Sequence, residues 1–431
     1  MIHNGSKYNN QWKTQKLSDL GSFSRGVSKH RPRNDSALFE NGKYPLVQTG
    51  DIKKANLYVT SHSQEYNDVG LKQSKLWDKG TLCITIAANI AETAILDYPM
   101  CFPDSIVGFN AYEGESTELF MYYIFEYIRN SIQNAASGSI QDNINVDYLT
   151  SLEFKIPSFK YQNDIVNILS TLDRKIINNS KINDNLEHQA MTLYNHWFTQ
   201  FDFPVQHGMP YKSSGNRMSN NGLICKTIPD GWKVLKLNDV IEKICTGLNP
   251  RNNFVLGNGN IRYVTVKNLT TAGTLDFSGC DTIDQQARRI VHNRSDISVG
   301  DILFASIAPL GRCHLILDEP QDWDINESVF SIRANRKYIT PEYLYMYLMS
   351  DSFIKGATSS STGSIFKGIR IGTLQDTLAV IPPLEIVNAF TEKVHQLLAL
   401  KSKITTESEH LIELRDWLLP MLMNGQATID D

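Results

Sequence analysis

Two sets of basic and amide side chains stand out in this chain, each lying in loops between short apolar runs. In the first half, SRGVSKHRPR (Ser24 to Arg33) brings Arg25, Lys29, Arg31 and Arg33 into one loop. Gln48, Lys53 and Lys54 follow, and Gln141 lies in SGSIQDNI (Ser137 to Ile144). In the second half, CTGLNPRNN (Cys245 to Asn253) carries Arg251 and Asn252. Lys267, Asn268 and Arg312 come next, then Ser364, Lys367 and Arg370 in and after TGSIFKGI (Thr362 to Ile369). Arg, Lys, Asn and Gln are the side chains that read base edges in the major groove of DNA. The same types hold phosphates. Taken singly, each reads as a solvated surface group. Taken together, they predict a DNA-contacting surface.

Bond-making chemistry finds little support. VLGNGN (Val255 to Asn260) has no third glycine and no following helix, so it reads as a turn and not a phosphate loop. The ten histidines form no H-E-x-x-H and no metal spacing. The six cysteines form no C-x-x-C pair and read as reduced thiols. IPPL (Ile381 to Leu384) is not the Asn/Asp-Pro-Pro-aromatic loop of an amino-methyltransferase. The reading is of a chain with no catalytic residues and no metal. A net charge of −4 weighs against a general nucleic-acid binder but allows a local basic patch. The opening MIHNGSKYNNQWK is polar, and no run approaches the ~18 apolar residues of a membrane span, so a cytoplasmic protein is expected.

The loops sit on a frame that occurs twice, at a period of about 220 residues. WKTQKLSDL (Trp12 to Leu20) answers WKVLKLNDV (Trp232 to Val240). WDKGTLCITIA (Trp77 to Ala87) answers ISVGDILFASI (Ile297 to Ile307), with Gly80 facing Gly300. GSIQDNI answers GSIFKGI, and Ile156-Pro157 answers Ile381-Pro382. Each copy opens with β-rich runs bounded by turn residues, then an apolar helix-like stretch, Leu119 to Ile128 or Pro341 to Ser350. The apolar frame repeats while the loop residues differ. Two readers of different sequences would be built this way.

A long helix closes each copy. Ile165, Leu169, Leu172, Ile176, Leu186, Ala190, Leu193 and Trp197 step by 3 and 4, with Asn179 and Asn183 on the seam. The second series runs Val387, Phe390, Val394, Leu397, Ile404, Leu411 and Leu418, with Lys401 and Ser408 on it. This is a coiled-coil pattern, apolar at the ends and polar in the middle, and the natural partner of each helix is the other. The predicted fold is α+β: two similar mixed α/β domains separated by two long antiparallel coiled-coil helices, a pseudo-twofold internal repeat. The expected boundaries are 1–158 for the first domain, 159–203 for its helix and 204–227 for a flexible linker. The second domain follows at 228–383, its helix at 384–424 and a tail at 425–431. Trp197, Phe198 and Trp417 are expected either to dock partner subunits or to fill the core between the helices.

With these elements in order, the chain resembles the specificity subunit of Type I restriction-modification systems over almost its whole length. IPDGWKVLKLNDV (Ile228 to Val240) matches that family's domain opening, and Gly138 to Ile144 and Gly363 to Ile369 match its closing element. QNDIVNILSTLDRKI (Gln162 to Ile176) is similar to its helix start. Val387 stands where a glutamine is usual, and Ser158 replaces a proline. The resemblance implies a non-catalytic subunit with two target-recognition domains, each reading one half of a split, asymmetric site in double-stranded DNA. It implies two methyltransferase subunits, which bind S-adenosylmethionine and methylate adenine N6. Restriction/translocase subunits using ATP and Mg can join such a complex, in defence against foreign DNA. The competing reading is a coiled-coil adaptor with two protein- or peptide-binding domains.

Overall fold

The structure is a computed structural model and describes residues 2–137, 144–307, 311–359 and 368–429. The chain divides into two compact units. The first comprises Met1–Asn178 and Glu407–Asp431, the second Asn179–Thr406. Each unit therefore holds one α/β domain together with a stretch of both long helices.

In the first unit, a five-stranded sheet runs in the order Gly21–Arg25, Ile106–Ala111, Leu82–Thr85, Thr93–Leu96, Tyr58–Val59. A four-stranded sheet runs Gln64–Tyr66, Tyr44–Leu46, Met100–Cys101, Leu76–Trp77. In the second unit, the order Ile241–Thr246, Val329–Ala334, Asp301–Ala305, Cys313–Leu315 repeats the first four strands. The order Asp281–Ile283, Ile261–Val264, Trp323–Ile325 repeats the smaller sheet. Even the parallel step is duplicated: Leu46 faces Cys101 in one unit and Tyr263 faces Asp324 in the other. A separate ribbon closes each domain, Lys13–Lys16 with Glu153–Ile156 and Lys233–Lys236 with Leu378–Ile381.

The central strands LCIT and DILFA are buried at every position. Strands covered on both faces read as continuous apolar runs for this reason. Gly80 and Gly300 each take a positive φ, +92° and +90°, in the turn before these strands. Each donates its N–H to a carbonyl, Leu96 O or Ile316 O, at 2.8 Å. Only glycine holds that backbone without strain, and so the pair is common to both copies. The helix covering the first sheet runs Glu118–Ser137, and its counterpart Pro341–Met349 is capped by Thr340, whose side chain accepts from Tyr343 N–H. Proline opens this helix where its missing N–H costs nothing.

The long helices are Phe159–Tyr194 and Leu384–Met423. At 36 and 40 residues they extend roughly 54 and 60 Å. Their pairing is antiparallel, as the seam predicts. In the second unit, Asn183 Nδ2 donates to Thr405 Oγ1 at 3.1 Å and Lys401 Nζ meets Glu187 Oε2 at 2.5 Å, so numbers rise on one helix as they fall on the other. In the first unit, Arg415 Nη1 meets Asp173 Oδ1 at 2.9 Å, and Tyr123 donates its hydroxyl to Asp173 Oδ2 at 2.6 Å. Asn179 and Lys401, nominated as polar seam residues, are buried.

The connector departs from the expected flexible linker. Met218–Asn221 and Lys226–Pro229 form a hairpin, Phe203 and Tyr211 stack at 4.6 Å, and Asp202 accepts from the Ser213 N–H and hydroxyl. Its Ser, Asn and Gly content conceals anchoring aromatics: Phe203 packs on Trp232 at 5.2 Å. In the first unit, the corresponding place beside the domain opening is taken by the N-terminal segment. Asn4 Nδ2 donates to Met423 O at 2.7 Å and Lys155 N–H to Asn4 Oδ1 at 2.8 Å.

Candidate nucleic-acid interface

In the first domain, the strand Gly21–Arg25 delivers the basic loop. Gly26 closes it where a Cβ would strike the Pro103 carbonyl; Gly247 does the same against Ile325 in the second domain. Arg25, Lys29, Arg31 and Arg33 are all exposed. They are not four free cations. Arg33 Nη2 contacts both oxygens of Asp104, at 2.6 and 2.8 Å, and Arg31 lies 3.8 Å from the same carboxylate. Arg31 also donates to the Ser28 and His30 carbonyls. The Ala37 N–H, and then His30, hold Asp35 below the usual carboxylate range, which pins the far side of the loop. The loop is thus ordered from within, with part of its charge already neutralised.

Gln48 directly precedes the helix Thr49–Lys54 and donates its backbone N–H to Asp51 at 2.8 Å. Lys53 reaches Asn89 Oδ1 at 3.3 Å, and Lys54 is exposed beside it. Ser28, Arg33, Asn34, Gln48, Gln64 and Ser105 line a cleft of about 180 Å³, with Phe39, Leu46, Tyr66 and Pro103 completing its wall. Two features here were not nominated from sequence. Gln64 pairs with Gln48 at 3.1 Å. The turn beyond Leu82–Thr85 holds Ala88, Asn89 and Ala91 at positive φ. Non-glycine residues held in that region mark sites where the surrounding structure imposes the backbone. A cluster of polar and small residues gives no sequence signal for such strain.

In the second domain Arg251, Asn252, Lys267 and Arg370 are exposed. Asn268 is not available to a ligand, which corrects its nomination. It is 6% exposed, its Oδ1 accepts from the Thr265 N–H and hydroxyl, and its Nδ2 donates to Asp276 O. It is a turn-forming residue. Arg312 lies in a cleft with Asp184, Glu187 and His188 of the first long helix, and its Nη1 is 3.5 Å from Val266 O. Gln141, Ser364 and Lys367 lie outside the described residues. The segments that follow them leave each domain at matching places, with Ile144 N–H donating to Ile86 O and Ile369 N–H to Ser306 O.

The docking candidates separate sharply. Trp197 and Phe198 are core residues, which removes them as docking side chains. Phe198 sits 4.8 Å from Tyr343 and 4.9 Å from Phe390, and Trp197 5.8 Å from Phe390. Trp417 is 57% exposed, with Leu414 exposed one turn before it. All six cysteines are free thiols, and no helix among the described residues is long and apolar enough to cross a membrane.

Comparison with known proteins accords with this duplicated architecture. The family profile described as the Type I restriction modification DNA specificity domain matches residues 9–188 and again 229–414. The chain is 23% identical over 429 residues to the Type I restriction enzyme MjaIX specificity subunit of Methanocaldococcus jannaschii, covering 97% of this chain and 94% of that protein. It is 22% identical over 482 residues to the HindI specificity subunit of Haemophilus influenzae, covering 96% and 99%. Its fold is similar to the crystal structure of a Type-I restriction-modification system S subunit from M. genitalium, with a TM-score of 0.56 at 15% identity and full coverage of both chains. With two profile matches that span most of its length, the chain belongs to the Type I restriction-modification specificity subunits.

Proposed function

We propose that this chain reads a split, asymmetric site in double-stranded DNA, one half-site per domain. The observation that carries this reading is the contrast between frame and loops. Sheet order, parallel step and glycine turns repeat, while the residues at the loop positions differ between copies. Phosphate contacts fall to the exposed Arg25, Lys29, Lys53 and Lys54 in one domain and to Arg251, Lys267 and Arg370 in the other, with Gln48 and Asn252 at base edges. Arg31 and Arg33 stabilise their loop through Asp104 and offer their remaining N–H groups. The chain carries no chemistry itself. It scaffolds two methyltransferase subunits that bind S-adenosylmethionine, methylate adenine N6 and act on a base drawn out of the stack. Restriction/translocase subunits that use ATP and Mg join the same complex, in the cytoplasm. The Trp417 and Leu414 surface is the docking candidate.

Exchanging residues 11–157 for the matching domain of another family member tests this. Mapping methylated adenines in cells should then show one new half-site, with the other half-site and the gap retained. Change in both halves, or in neither, would falsify the modular reading.

A further inference from the structure

Resting on that DNA-reading role, we propose that Gln48 and Gln64 act as one coupled amide pair that reads the major-groove edge of an adenine in the first domain's half-site. Gln48 Nε2 donates to Gln64 Oε1 at 3.1 Å. One amide of the pair spends an N–H and the other its oxygen. What remains is a carbonyl oxygen on one glutamine beside N–H groups on the other. Exchanging N and O in both amides leaves the same complement. Adenine presents N7 as acceptor and N6–H₂ as donor in the major groove, the pattern a side-chain amide satisfies with two bonds.

The pair is held ready. Gln48 is fixed at the head of Thr49–Lys54 through Asp51, which also accepts the Ser63 hydroxyl at 3.0 Å. One carboxylate therefore ties together the two segments that carry the glutamines. Gln64 lies in the strand register opposite Leu46. Side chains on regular elements are positioned more accurately than those on loops. Gln64 also borders both the 180 Å³ cleft and an adjoining cavity of about 450 Å³ that includes His62 and Ser63. Gln64 thus stands between two openings, and Gln48 faces the smaller of them.

The second domain keeps the positions and changes the chemistry. Thr265 heads the turn Val266–Asn268 as Gln48 heads its helix, and Asp281, opposite Tyr263, holds the place of Gln64. A carboxylate accepts from an amine such as cytosine N4 and cannot offer the adenine complement. The frame itself therefore does not require the glutamine pair.

The test is selection of duplexes from a randomised pool by the full chain, followed by sequencing of the bound fraction. The wild-type chain should enrich a split motif. Gln48→Ala and Gln64→Ala should each lower discrimination for adenine at one position of one half-site by about tenfold or more, leaving the other half intact. Gln64→Glu should move that position toward cytosine. Thermal unfolding of each variant, matched to wild type, keeps a folding defect from standing in for the effect. Both alanine variants selecting the original motif with undiminished stringency would overturn the proposal, as would a uniform loss over all sequences. If the wild-type chain enriches no motif, the DNA-reading role itself fails, a result distinct from either.

Discussion

Trp197 and Trp417 look like counterparts, each a tryptophan near the end of a long helix, yet one is 4% exposed and the other 57%. Counting from the Ile-Pro that heads each helix resolves the difference. Trp197 stands where Leu422 stands, and Leu422 is 2% exposed. Trp417 stands where Thr192 stands, and Thr192 is exposed too. Burial follows helical phase. At an outward phase the first unit therefore carries Leu414 and Trp417, where the second carries Gln189 and Thr192. An outward apolar pair on one unit, with a polar pair at the matching place of the other, is a surface difference that core packing does not require.

The sharpest test of that contrast is Trp197→Ala, expected to cost roughly 3–5 kcal/mol in urea unfolding, against Trp417→Ala within about 0.5 kcal/mol. Trp417→Ala should instead lower co-purification of the methyltransferase subunits. A large stability loss at Trp417 would place it in the core. Next in size is Arg415→Ala, about 3 kcal/mol, because it leaves the buried Asp173 carboxylate without its cation. The double variant Asp173→Leu, Arg415→Ala should recover much of that loss in the same assay, since Leu398 and Ala190 occupy the equivalent buried positions in the second unit.

A smaller effect separates the units by pH. Burial, aided by the Lys401 charge, pushes the His314 imidazole down to about 4, although it bonds Gly273 O at 3.1 Å. The unfolded chain then takes a proton near pH 6.5 that the folded chain refuses until about 4. Stability should decline as pH falls through that window, by at most about 1.4 kcal/mol per pH unit. His314→Asn should flatten the slope; an unchanged slope would assign it to other groups. Smallest is the effect of Lys53→Ala and Lys54→Ala, each expected to reduce the slope of log binding constant against log salt by about 1, read by DNA titration at several salt concentrations. Arg33→Ala, whose charge Asp104 already offsets, should change that slope less.

Much of this architecture is legible in the chain because the apolar frame is written twice. The buried runs LCIT and DILFA, the Gly80 and Gly300 turns and the 3-and-4 stepping of the long helices are local patterns with one physical solution each. The site was harder to read, since a polar side chain does not announce its partner. Asn268 looks like a base reader until its bonds to Thr265 and Asp276 are seen. Arg33 looks free because Asp104 is distant in sequence. Gln64 carries no mark in its polar stretch, because only strand pairing brings it to Gln48. The connector misled by composition, its few aromatics outweighing its many small residues.

The two less exposed ion pairs of the seam are sorted by helix, while the exposed pair Lys175 and Glu407 has the opposite sense. The acids Asp173 and Glu187 belong to the first, and the bases Arg415 and Lys401 to the second. If two copies of the first helix paired with each other in the same way, Asp173 would meet Ala190 and Glu187 would meet Ile176, leaving both carboxylates without a cation. Severed halves of this chain, mixed in a tube, should accordingly choose one another over themselves, and complementation between fragments would be selective without any covalent tether.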